Sequence, residues 1–290
     1  MTTSTGARDH DLRGLVALVT GGGRGIGRAI AQALATAGAA VAVMARTADE
    51  VAQTADLIDA AGGRAVAVTG DVTDQLAVAR AVATIERQLG PVDVLVNNAG
   101  VGGPIGPLWA VDPEEWWRTI DINLRGVFLC SRTVLPGMVA RQQGRIINVA
   151  SHAGVHRWPQ VSAYAIAKAA VIKCTENLAA ETKRAGVTVF AIHPGVVVVG
   201  PTAALLKAEA APGSAEERVA AWFRQQIASG REMPVERAAG LVTVLASGRA
   251  DALSGRYLTV YDDVEALIAR AEEIQRKDLY TLKLREALEQ

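Results

Sequence analysis

Short runs of aliphatic residues alternate with helix-like segments along most of the chain. The runs are apolar at nearly every position, as in LVALVT and VFAIH, instead of at every second position. Strands that are covered by helices on both faces show this pattern, and such strands form parallel sheets. The seven runs span residues 15–20, 39–45, 65–69, 92–96, 145–149, 187–192 and 257–260. The alternation therefore predicts an α/β fold with a doubly wound parallel sheet of about seven strands.

Length and apolar content predict one large domain. Half of the 290 residues are hydrophobic, which is enough to fill an extensive core. No repeat or linker interrupts the body of the chain, so we expect residues 12–262 to form one domain. Beyond it, Val264, Leu267 and Ile274 follow helical spacing in a charged sequence. Residues 263–290 are therefore expected to add an amphipathic C-terminal helix to the same domain, packed either on its own subunit or on a partner.

Charge and cysteine content argue against several functions. Thirty Lys and Arg residues balance thirty Asp and Glu residues, so nucleic acid is not an expected partner. Cys130 and Cys174 have neither disulfide-framework nor zinc-site spacing, which predicts a reducing, cytoplasmic setting and no metal site. The first fourteen residues lack an apolar export signal. The uncharged stretches 94–111 and 186–206 contain prolines and glycines that disfavour a membrane span, so no membrane association is expected.

A glycine-rich turn directly follows the first predicted strand. Residues 20–27 read TGGGRGIG and lead into the first predicted helix. Glycines let the backbone turn sharply and approach a pyrophosphate, and the helix N-terminus offers free N–H groups and partial positive charge. This strand–turn–helix context predicts a dinucleotide site. Its candidate residues are Gly21, Arg24, Gly25, Ile26 and Gly27.

The end of the second predicted strand indicates which dinucleotide binds. It reads Met44-Ala45-Arg46-Thr47, without the carboxylate that would bind the ribose 2′-hydroxyl of NAD. Arg46, together with Arg24 of the glycine turn, can clamp a 2′-phosphate through charge-assisted hydrogen bonds. NADP(H) is therefore the expected cofactor. NAD is the alternative if Arg24 is only a solvated turn residue.

A tyrosine–lysine pair is the main candidate for catalysis. Tyr164 and Lys168 are one helical turn apart at the start of an alanine-rich segment. An ammonium ~4 Å from a phenol, at an effective dielectric near 20, contributes about 4 kcal/mol and would lower the phenol pKa by roughly 3. Such a tyrosine can exchange a proton near neutral pH. Ser151 follows the fifth predicted strand, where its hydroxyl can be directed over the carboxyl ends of the sheet and polarise a carbonyl.

The motifs form an ordered series along the chain. They are TGxxxGxG, NNAG, an asparagine, a serine, YxxxK and PG. This series resembles the short-chain dehydrogenase/reductase family over residues 12–260. The resemblance implies a Rossmann-like fold in which Tyr164 is the general acid/base, while Lys168 lowers its pKa and binds the nicotinamide ribose. It also implies that Ser151 binds the substrate oxygen and that Asn123 holds a water in a proton relay.

The resemblance extends the candidate cofactor contacts beyond the glycine turn. The additional contacts that it implies are Asp71, Val72, Asn98, Tyr164, Lys168, Pro194, Gly195 and Val197. Two of these residues have structural alternatives. Asn98 could cap the fourth strand, and Asp71 could cap a helix.

The chain departs from the family pattern in its last third. Threonine is common in the family four residues after the glycine of the Pro-Gly pair, where this chain has Val199 and the nearest threonine is Thr202. The family's Asp-Gly-Gly-like end is replaced by YDD at residues 261–263, and 27 residues follow. The resemblance implies a homo-oligomer, either a dimer or a tetramer, but the added segment puts the usual tetramer interface in doubt. Residues 196–234, rich in Ala and Gly, are expected to form a mobile lid.

Several other side chains near these motifs are interpreted as structural. His152 and His156 are four residues apart in a glycine-containing loop without an intervening glutamate, which argues against zinc. His193, before Pro194, is expected to pack at the edge of the core. Core packing is also expected for the tryptophans around a Pro-Glu-Glu helix start, Trp109, Trp116 and Trp117.

The sequence thus predicts an NADP(H)-dependent oxidoreductase that transfers hydride between nicotinamide and a small-molecule carbonyl or secondary alcohol. The alternative is a non-catalytic dinucleotide-sensing protein whose C-terminal helix binds a partner, although such a protein needs no proton relay. A sugar-nucleotide epimerase or dehydratase would need a longer substrate domain than residues 196–257 provide. The absence of a Gly-x-Ser-x-Gly motif around Ser151 disfavours a hydrolase.

Overall fold

A parallel seven-stranded sheet lies at the centre of the computed structural model, which describes residues 10–283. The strands are β1 (Val16–Thr20), β2 (Ala40–Ala45), β3 (Arg64–Thr69), β4 (Val94–Asn97), β5 (Gly144–Val149), β6 (Val187–His193) and β7 (Tyr257–Thr259). Their order in the sheet is β3-β2-β1-β4-β5-β6-β7, and all neighbours are parallel. The predicted α/β fold with a doubly wound parallel sheet is confirmed.

Helices cover both faces of this sheet. Within residues 10–283 the α-helices are α1 (Gly25–Thr36), α2 (Ala48–Ala60), α3 (Gln75–Leu89), α4 (Pro113–Ile120), α5 (Gly126–Arg141), α6 (Ser162–Thr182), α7 (Gly200–Lys207), α8 (Ala215–Ala228), α9 (Val235–Ala246), α10 (Val264–Ala269) and α11 (Ala271–Arg276). A π-helical turn, Asp121–Arg125, joins α4 to α5. None of the helices in this range is both long and apolar enough to cross a lipid bilayer.

Alternate side chains of β1 enter two separate cores. Val19 packs in the core that contains Leu34 of α1 and Val242 of α9. Leu18 packs in the opposite core, which contains Ile85 of α3 and residues of α5. Every residue of β1 is therefore buried, which explains why the strand is apolar throughout its length.

The strand order reverses direction at β1. This strand pairs with β2 on one side and with β4 on the other, so the connections that leave β1 and β4 diverge. A crevice results at the carboxyl ends of these two strands. The glycine turn follows β1 directly and therefore lies in this crevice, as do the residues that follow β4.

Residues 196–234, predicted as a lid, contain α7 and α8. The two ends of the segment are joined, because Met233 N–H donates to the Val196 carbonyl at 2.8 Å. Ser214 caps α8 by accepting a hydrogen bond from Glu217 N–H at 3.1 Å. The segment is thus a helical excursion with closed ends, and its mobility stays a prediction.

The C-terminal extension packs on its own chain. Leu267 and Ile274 are buried in the core that also contains α1 and α9. The extension is helical, as predicted, but it forms two short helices, because the backbone of Arg270 leaves the helical conformation between α10 and α11. Residues 284–290 of the predicted extension lie outside the described residues.

Local sequence does not account for the break at Arg270, and the chain after α11 is held by contacts distant in sequence. Neither glycine nor proline marks the break at Arg270. After α11 the chain turns toward the sheet edge, where Tyr257 N–H donates to the Tyr280 carbonyl at 2.9 Å. Arg256 donates to the Asp278 carboxylate at 2.8 Å. Helical periodicity carries no information about these contacts.

The tryptophans around α4 are not all in the core. Trp109 is 88% exposed and Trp117 is 61% exposed, so the predicted core packing is wrong for both. Trp117 is exposed because α4 lies on the surface and buries only Thr119, and Trp109 lies in the turn that precedes α4. Trp116 instead donates its indole N–H to the Ser162 hydroxyl at 3.0 Å.

Candidate active site

The glycine turn is folded tightly against the start of α1. Gly21 and Gly25 adopt φ angles of +63° and +54°, a region that side chains disfavour. A Cβ atom on Gly27 would overlap the Gly21 carbonyl oxygen, so only glycine lets the helix begin this close to the turn. Arg24 is the N-cap residue, and no side chain of the described chain caps the helix. The first N–H groups of α1 therefore remain available to an anion.

Asn98 connects β4 to the glycine turn. Its Nδ2 donates to the carbonyl oxygens of Thr20 at 3.0 Å and Gly21 at 3.2 Å. Its backbone N–H donates to the Thr20 hydroxyl at 3.1 Å. Asn98 also lines the crevice, so it holds the turn in place and leaves Oδ1 as the side-chain atom for a ligand contact.

Two arginines and one glutamate line the end of the cavity near β2. Arg24 and Arg46 are exposed there, as the sequence predicts. Sequence reasoning missed Glu50, whose Oε1 lies 3.7 Å from Arg24 Nη1. Glu50 lies in the first turn of α2, four residues after Arg46, and this position was the available signal. The charge at this end is therefore less positive than the two arginines alone suggest.

Asp71 and Val72 line the cavity beside this end. The Asp71 carboxylate accepts hydrogen bonds from the Thr73 N–H at 2.9 Å and the Thr73 hydroxyl at 2.8 Å. It therefore stabilises its own turn, whereas Asp74 caps α3. The helix-capping alternative for Asp71 is wrong, and its remaining carboxylate oxygen can face a ligand.

Ser151, Tyr164 and Lys168 line the cavity together. Ser151 follows β5, and its hydroxyl accepts a hydrogen bond from Ala153 N–H at 3.2 Å. Tyr164 and Lys168 lie one turn apart on α6. Lys168 Nζ donates to the Val149 carbonyl at 2.8 Å and lies 5.6 Å from the centre of the Tyr164 ring. Because β5 and α6 are tied together by this bond, the three side chains have fixed relative positions.

Burial is the main influence on the pKa values of Tyr164 and Lys168. It lowers the pKa of Lys168 to about 8, because the charged ammonium loses hydration. It also raises the pKa of Tyr164, and the Ser151 hydroxyl opposes this effect only in part. The net pKa of Tyr164 in the protein alone is therefore raised, not lowered as the sequence predicts, since the prediction ignored the desolvation of the phenolate.

Asn123 lies in the π-helical turn between α4 and α5. Its Nδ2 donates to the carbonyl oxygens of Val101 at 2.9 Å and Thr119 at 3.0 Å. Its Oδ1 is buried without a hydrogen-bond partner among the described residues. A Cβ on Gly100 would lie 2.7 Å from this Oδ1 and 3.6 Å from Lys168 Nζ, so the two polar atoms border the same space. A free acceptor thus faces the lysine.

The Pro-Gly segment after β6 forms another wall of the cavity. Pro194, Gly195 and Val197 all line it. Gly195 adopts a φ of +87°, and a Cβ there would lie only 2.8 Å from Met233. Val199, at the position where the family often has threonine, packs against the Gly25 end of the glycine turn. Both Val199 and Thr202 border the cavity.

A cluster of histidines beside Ser151 was not predicted. His152, His156 and His193, three of the four histidines in the chain, line the same cavity. His193 is mostly buried, as expected, and desolvation lowers its pKa to about 3. The rings of His152 and His193 have centres 4.0 Å apart, and Tyr257 OH lies 3.0 Å from His152 Nδ1. Neighbouring strands β5, β6 and β7 bring these residues together.

The cavity has a volume of about 1070 Å³. This volume is at the upper end of the range of about 300–1,000 Å³ that is usual for pockets that bind a small ligand or cofactor. The cradle formed by the glycines and the uncapped start of α1 fits a pyrophosphate.

Within residues 10–283, no group of three or more His, Cys, Asp or Glu residues could hold a metal ion. A doubly wound sheet with a glycine turn at the point where strand order reverses is a dinucleotide-binding fold.

Comparison with known proteins identifies the family. Residues 15–210 match the family described as short chain dehydrogenase. The chain is 36% identical over 270 residues to a short chain dehydrogenase of Pseudocercospora fijiensis, covering 90% of this chain and 85% of the relative. It is 37% identical over 234 residues to a 2-dehydro-3-deoxy-L-rhamnonate dehydrogenase (NAD(+)) of a Sphingomonas species, covering 81% and 88%. The chain belongs to the short-chain dehydrogenase/reductase family.

A solved structure supports the same assignment. The crystal structure of gluconate 5-dehydrogenase from Burkholderia cenocepacia, in complex with NADP and tartrate, is 32% identical and has a TM-score of 0.78. The match covers 87% of this chain and 96% of that chain. The resemblance inferred from the motifs is confirmed, and the protein is an NAD(P)-dependent oxidoreductase.

Proposed function

We propose that the protein is an NADP(H)-preferring oxidoreductase that interconverts a carbonyl and a secondary alcohol. One observation carries this proposal. Tyr164 and Lys168 lie one turn apart on α6, next to Ser151, in the cavity that also contains the glycine turn. The nicotinamide would supply or accept the hydride. The side chains of the protein would bind the substrate oxygen and move the proton.

Ser151 and Tyr164 would hold the substrate oxygen. During reduction this oxygen gains negative charge, so hydroxyl donors fixed beside it stabilise the transition state more than the ground state. Tyr164 then donates its phenolic proton to the oxygen. Its raised pKa keeps the phenol protonated at neutral pH, which suits a proton donor. In the oxidation direction, the phenolate removes the proton from the alcohol.

Lys168 and Asn123 would restore the proton on Tyr164. A pKa of about 8 leaves most of the Lys168 side chain cationic at neutral pH, where its charge stabilises the phenolate. The unpartnered Oδ1 of Asn123 borders the same space as Lys168 Nζ. This pair of polar atoms is suited to hold a water that returns a proton to the tyrosine.

The cofactor would lie across the carboxyl ends of β1 and β4. Its pyrophosphate would contact the glycine turn, and its adenine would lie beside Asp71 and Val72. The nicotinamide half would contact the remaining predicted residues, Asn98, Tyr164, Lys168, Pro194, Gly195 and Val197.

The preference for NADP(H) rests on two arginines. Arg24 and Arg46 would bind the 2′-phosphate, and Glu50 beside Arg24 limits the size of this preference. Both cofactors occur among the relatives, since one is named for NAD(+) and another was solved with NADP.

A substrate panel tests the proposal. Ketones and secondary alcohols are incubated with NADPH, NADH and their oxidised forms, and nicotinamide absorbance is followed. We expect turnover of at least one member, with a higher kcat/KM for the phosphorylated cofactor. Binding of NADPH without turnover of any panel member would instead favour a dinucleotide-sensing protein.

A further inference from the structure

Charge is distributed unevenly along the cavity. Its only acidic lining residues within the described chain are Glu50 and Asp71, and both lie at the end near β2 and β3. The part beyond Ser151 has no lining carboxylate among residues 10–283. Basic or nitrogen-donor side chains border it instead, namely His152, His156, Arg157, His193 and Arg231. This part of the cavity therefore attracts negative charge.

Arg231 is connected to the reaction centre through Tyr261. The Tyr261 hydroxyl donates to the Arg231 carbonyl at 3.2 Å. The Tyr261 ring stacks on His152, the neighbour of Ser151 in sequence, with an interplanar angle of 11° and 6.2 Å between ring centres. The Arg231 guanidinium donates to the neutral Gln226 side chain at 3.2 Å. This hydrogen bond orients the Arg231 guanidinium, and the neutral Gln226 side chain does not cancel its charge.

Arg157 lies on the loop that follows Ser151. Neither Arg157 nor Arg231 forms an ion pair with a carboxylate in the part of the chain that the structure describes. By contrast, Arg24 pairs with Glu50 and Arg256 pairs with Asp278. Two guanidinium groups that line the cavity therefore remain available for a ligand, and their planar donor arrays match a carboxylate.

His152 and His193 provide hydrogen-bonding groups more than charge. Burial lowers the pKa of His152 and of His193, so both are neutral near pH 7. Burial also raises the pKa of Tyr257 well above its usual value, so its hydroxyl stays protonated and shares a hydrogen bond with His152 Nδ1. His152 and His193 therefore add no positive charge to that of Arg157 and Arg231.

An aromatic wall borders the same region. The Trp158 ring lies 5.0 Å from Trp222 and 5.6 Å from Phe223, measured between ring centres. Leu205 of α7 and Val219 of α8 extend this apolar surface. A ligand that is only a small polar acid would leave these side chains without a contact. The wall therefore fits a carbon ring or chain next to the charged group.

We propose that the substrate is a hydroxy or oxo carboxylate with an apolar body. Its carboxylate binds Arg157 and Arg231, its carbon skeleton contacts Trp158 and Trp222, and its reacting carbon lies at Ser151. This proposal rests on the proposed oxidoreductase function and adds the substrate class. It gives the two arginines the role of specificity-determining residues.

A binding measurement tests the carboxylate site without turnover. Cyclohexanecarboxylate and its neutral analogue cyclohexanecarboxamide are titrated onto the protein in the presence of NADP⁺. Tryptophan fluorescence reports binding, since Trp158 and Trp222 line the cavity. We expect the carboxylate to bind about tenfold more tightly, which corresponds to about 1.4 kcal/mol. Equal affinity for the two compounds overturns the proposal.

Arginine variants locate the preference. Arg157→Met and Arg231→Met should each remove most of the carboxylate preference while affinity for the carboxamide stays nearly unchanged. Arg224→Met is the matched control, because Arg224 lies on α8 and is exposed but does not line the cavity. If the Arg224 variant loses as much preference as the other two, the effect is one of general charge and the assigned site is wrong.

A turnover assay separates the substrate class from the proposed function. A panel of cyclic and linear oxo carboxylates is reduced with NADPH, each member paired with its carboxamide. Higher kcat/KM for the acids, lost in Arg231→Met, supports the substrate class. Equal turnover of the carboxamides overturns it but leaves the oxidoreductase function intact. Carboxylate-selective binding without any turnover supports the site and contradicts the oxidoreductase function.

Discussion

The two ends of the cavity hold their charged groups in different ways. At the reaction centre, Lys168 is 4% exposed and donates to a backbone carbonyl at 2.8 Å. At the end near β2, the side chain of Arg24 is 72% exposed, and its nearest carboxylate, on Glu50, lies 3.7 Å away. One group is desolvated and fixed by the backbone. The other is hydrated and held only by a long, screened contact.

The difference follows from what each end has to do. A group that changes its protonation state benefits from low dielectric, because every nearby charge then acts on it more strongly. A group that only distinguishes between ligands can remain in water, where salt screens its charge and single contacts contribute little. Changes at the buried end should therefore have large and pH-dependent effects. Changes at the exposed end should have small and salt-dependent effects.

The largest expected effect is that of Tyr164→Phe. Removing the phenolic proton donor should lower kcat by about 10²–10⁴-fold. The affinity for NADPH should change little, because the ring and its packing on α6 are retained. Steady-state kinetics and a titration of NADPH fluorescence measure the two quantities. Tyr280→Phe is the matched control, since Tyr280 lies in the C-terminal extension, and it should keep full activity. If Tyr164→Phe retains most of the activity, Tyr164 is not the proton donor, and the contrast between the buried and the exposed end of the cavity loses its functional basis.

The second prediction concerns Lys168 and the pH dependence of stability. Burial places its pKa at about 8 in the folded protein, below the value of 10.5 for an exposed lysine. Between these two values the unfolded chain binds more protons, so the stability of the wild-type protein rises with pH in that window. Lys168→Met lacks this rise. Wild type should therefore gain up to about 3 kcal/mol of unfolding free energy relative to the variant between pH 7 and pH 10.

Urea unfolding of both proteins without cofactor provides this difference at each pH. Because the comparison is made between variant and wild type, the titration of all other groups cancels to first order. A difference that stays constant from pH 7 to pH 10 would mean that Lys168 is hydrated in solution. The reaction centre would then resemble the exposed end, and the contrast between the two ends would be lost.

The sequence was sufficient to predict those features that depend on a single local effect. The strands were predictable because burial on both faces leaves a continuous apolar run, as in β1 and β6. The glycine turn was predictable because steric limits at Gly21 and Gly27 act within one short segment. The tyrosine and lysine were recognised because helical spacing alone brings them to the same face of α6.

Features that combine distant segments were not predictable. The histidine cluster joins His152, after β5, to His193, at the end of β6, and to Tyr257 of β7, and only the strand order makes them neighbours. The ionisation of Tyr164 was predicted with the wrong sign, because the spacing to Lys168 is visible in the sequence but the burial of both groups is not. Strand pairing and burial depend on the whole fold.

The third prediction concerns the exposed end. Arg46→Asp should lower kcat/KM for NADPH about tenfold, because it removes a charge-assisted contact to the 2′-phosphate and adds repulsion. The value for NADH should fall much less. Arg80→Asp is the control for net charge, since Arg80 is an exposed residue of α3 that does not line the cavity. Equal losses with both cofactors would show that Arg46 does not select the phosphate.

The smallest expected effect is that of Glu50→Gln. Removing this carboxylate frees Arg24 and reduces repulsion near the 2′-phosphate site. The interaction is largely exposed, so KM for NADPH should fall only about two- to fivefold. This gain should shrink as salt rises from 50 to 500 mM, whereas the effect of Tyr164→Phe should not. Asp49→Asn, an exposed neighbour on α2 outside the cavity, should leave both KM values unchanged. If the decrease in KM for NADPH does not depend on salt, Glu50 acts at short range in a desolvated site. The charged groups at this end of the cavity would then be as desolvated as those at the reaction centre.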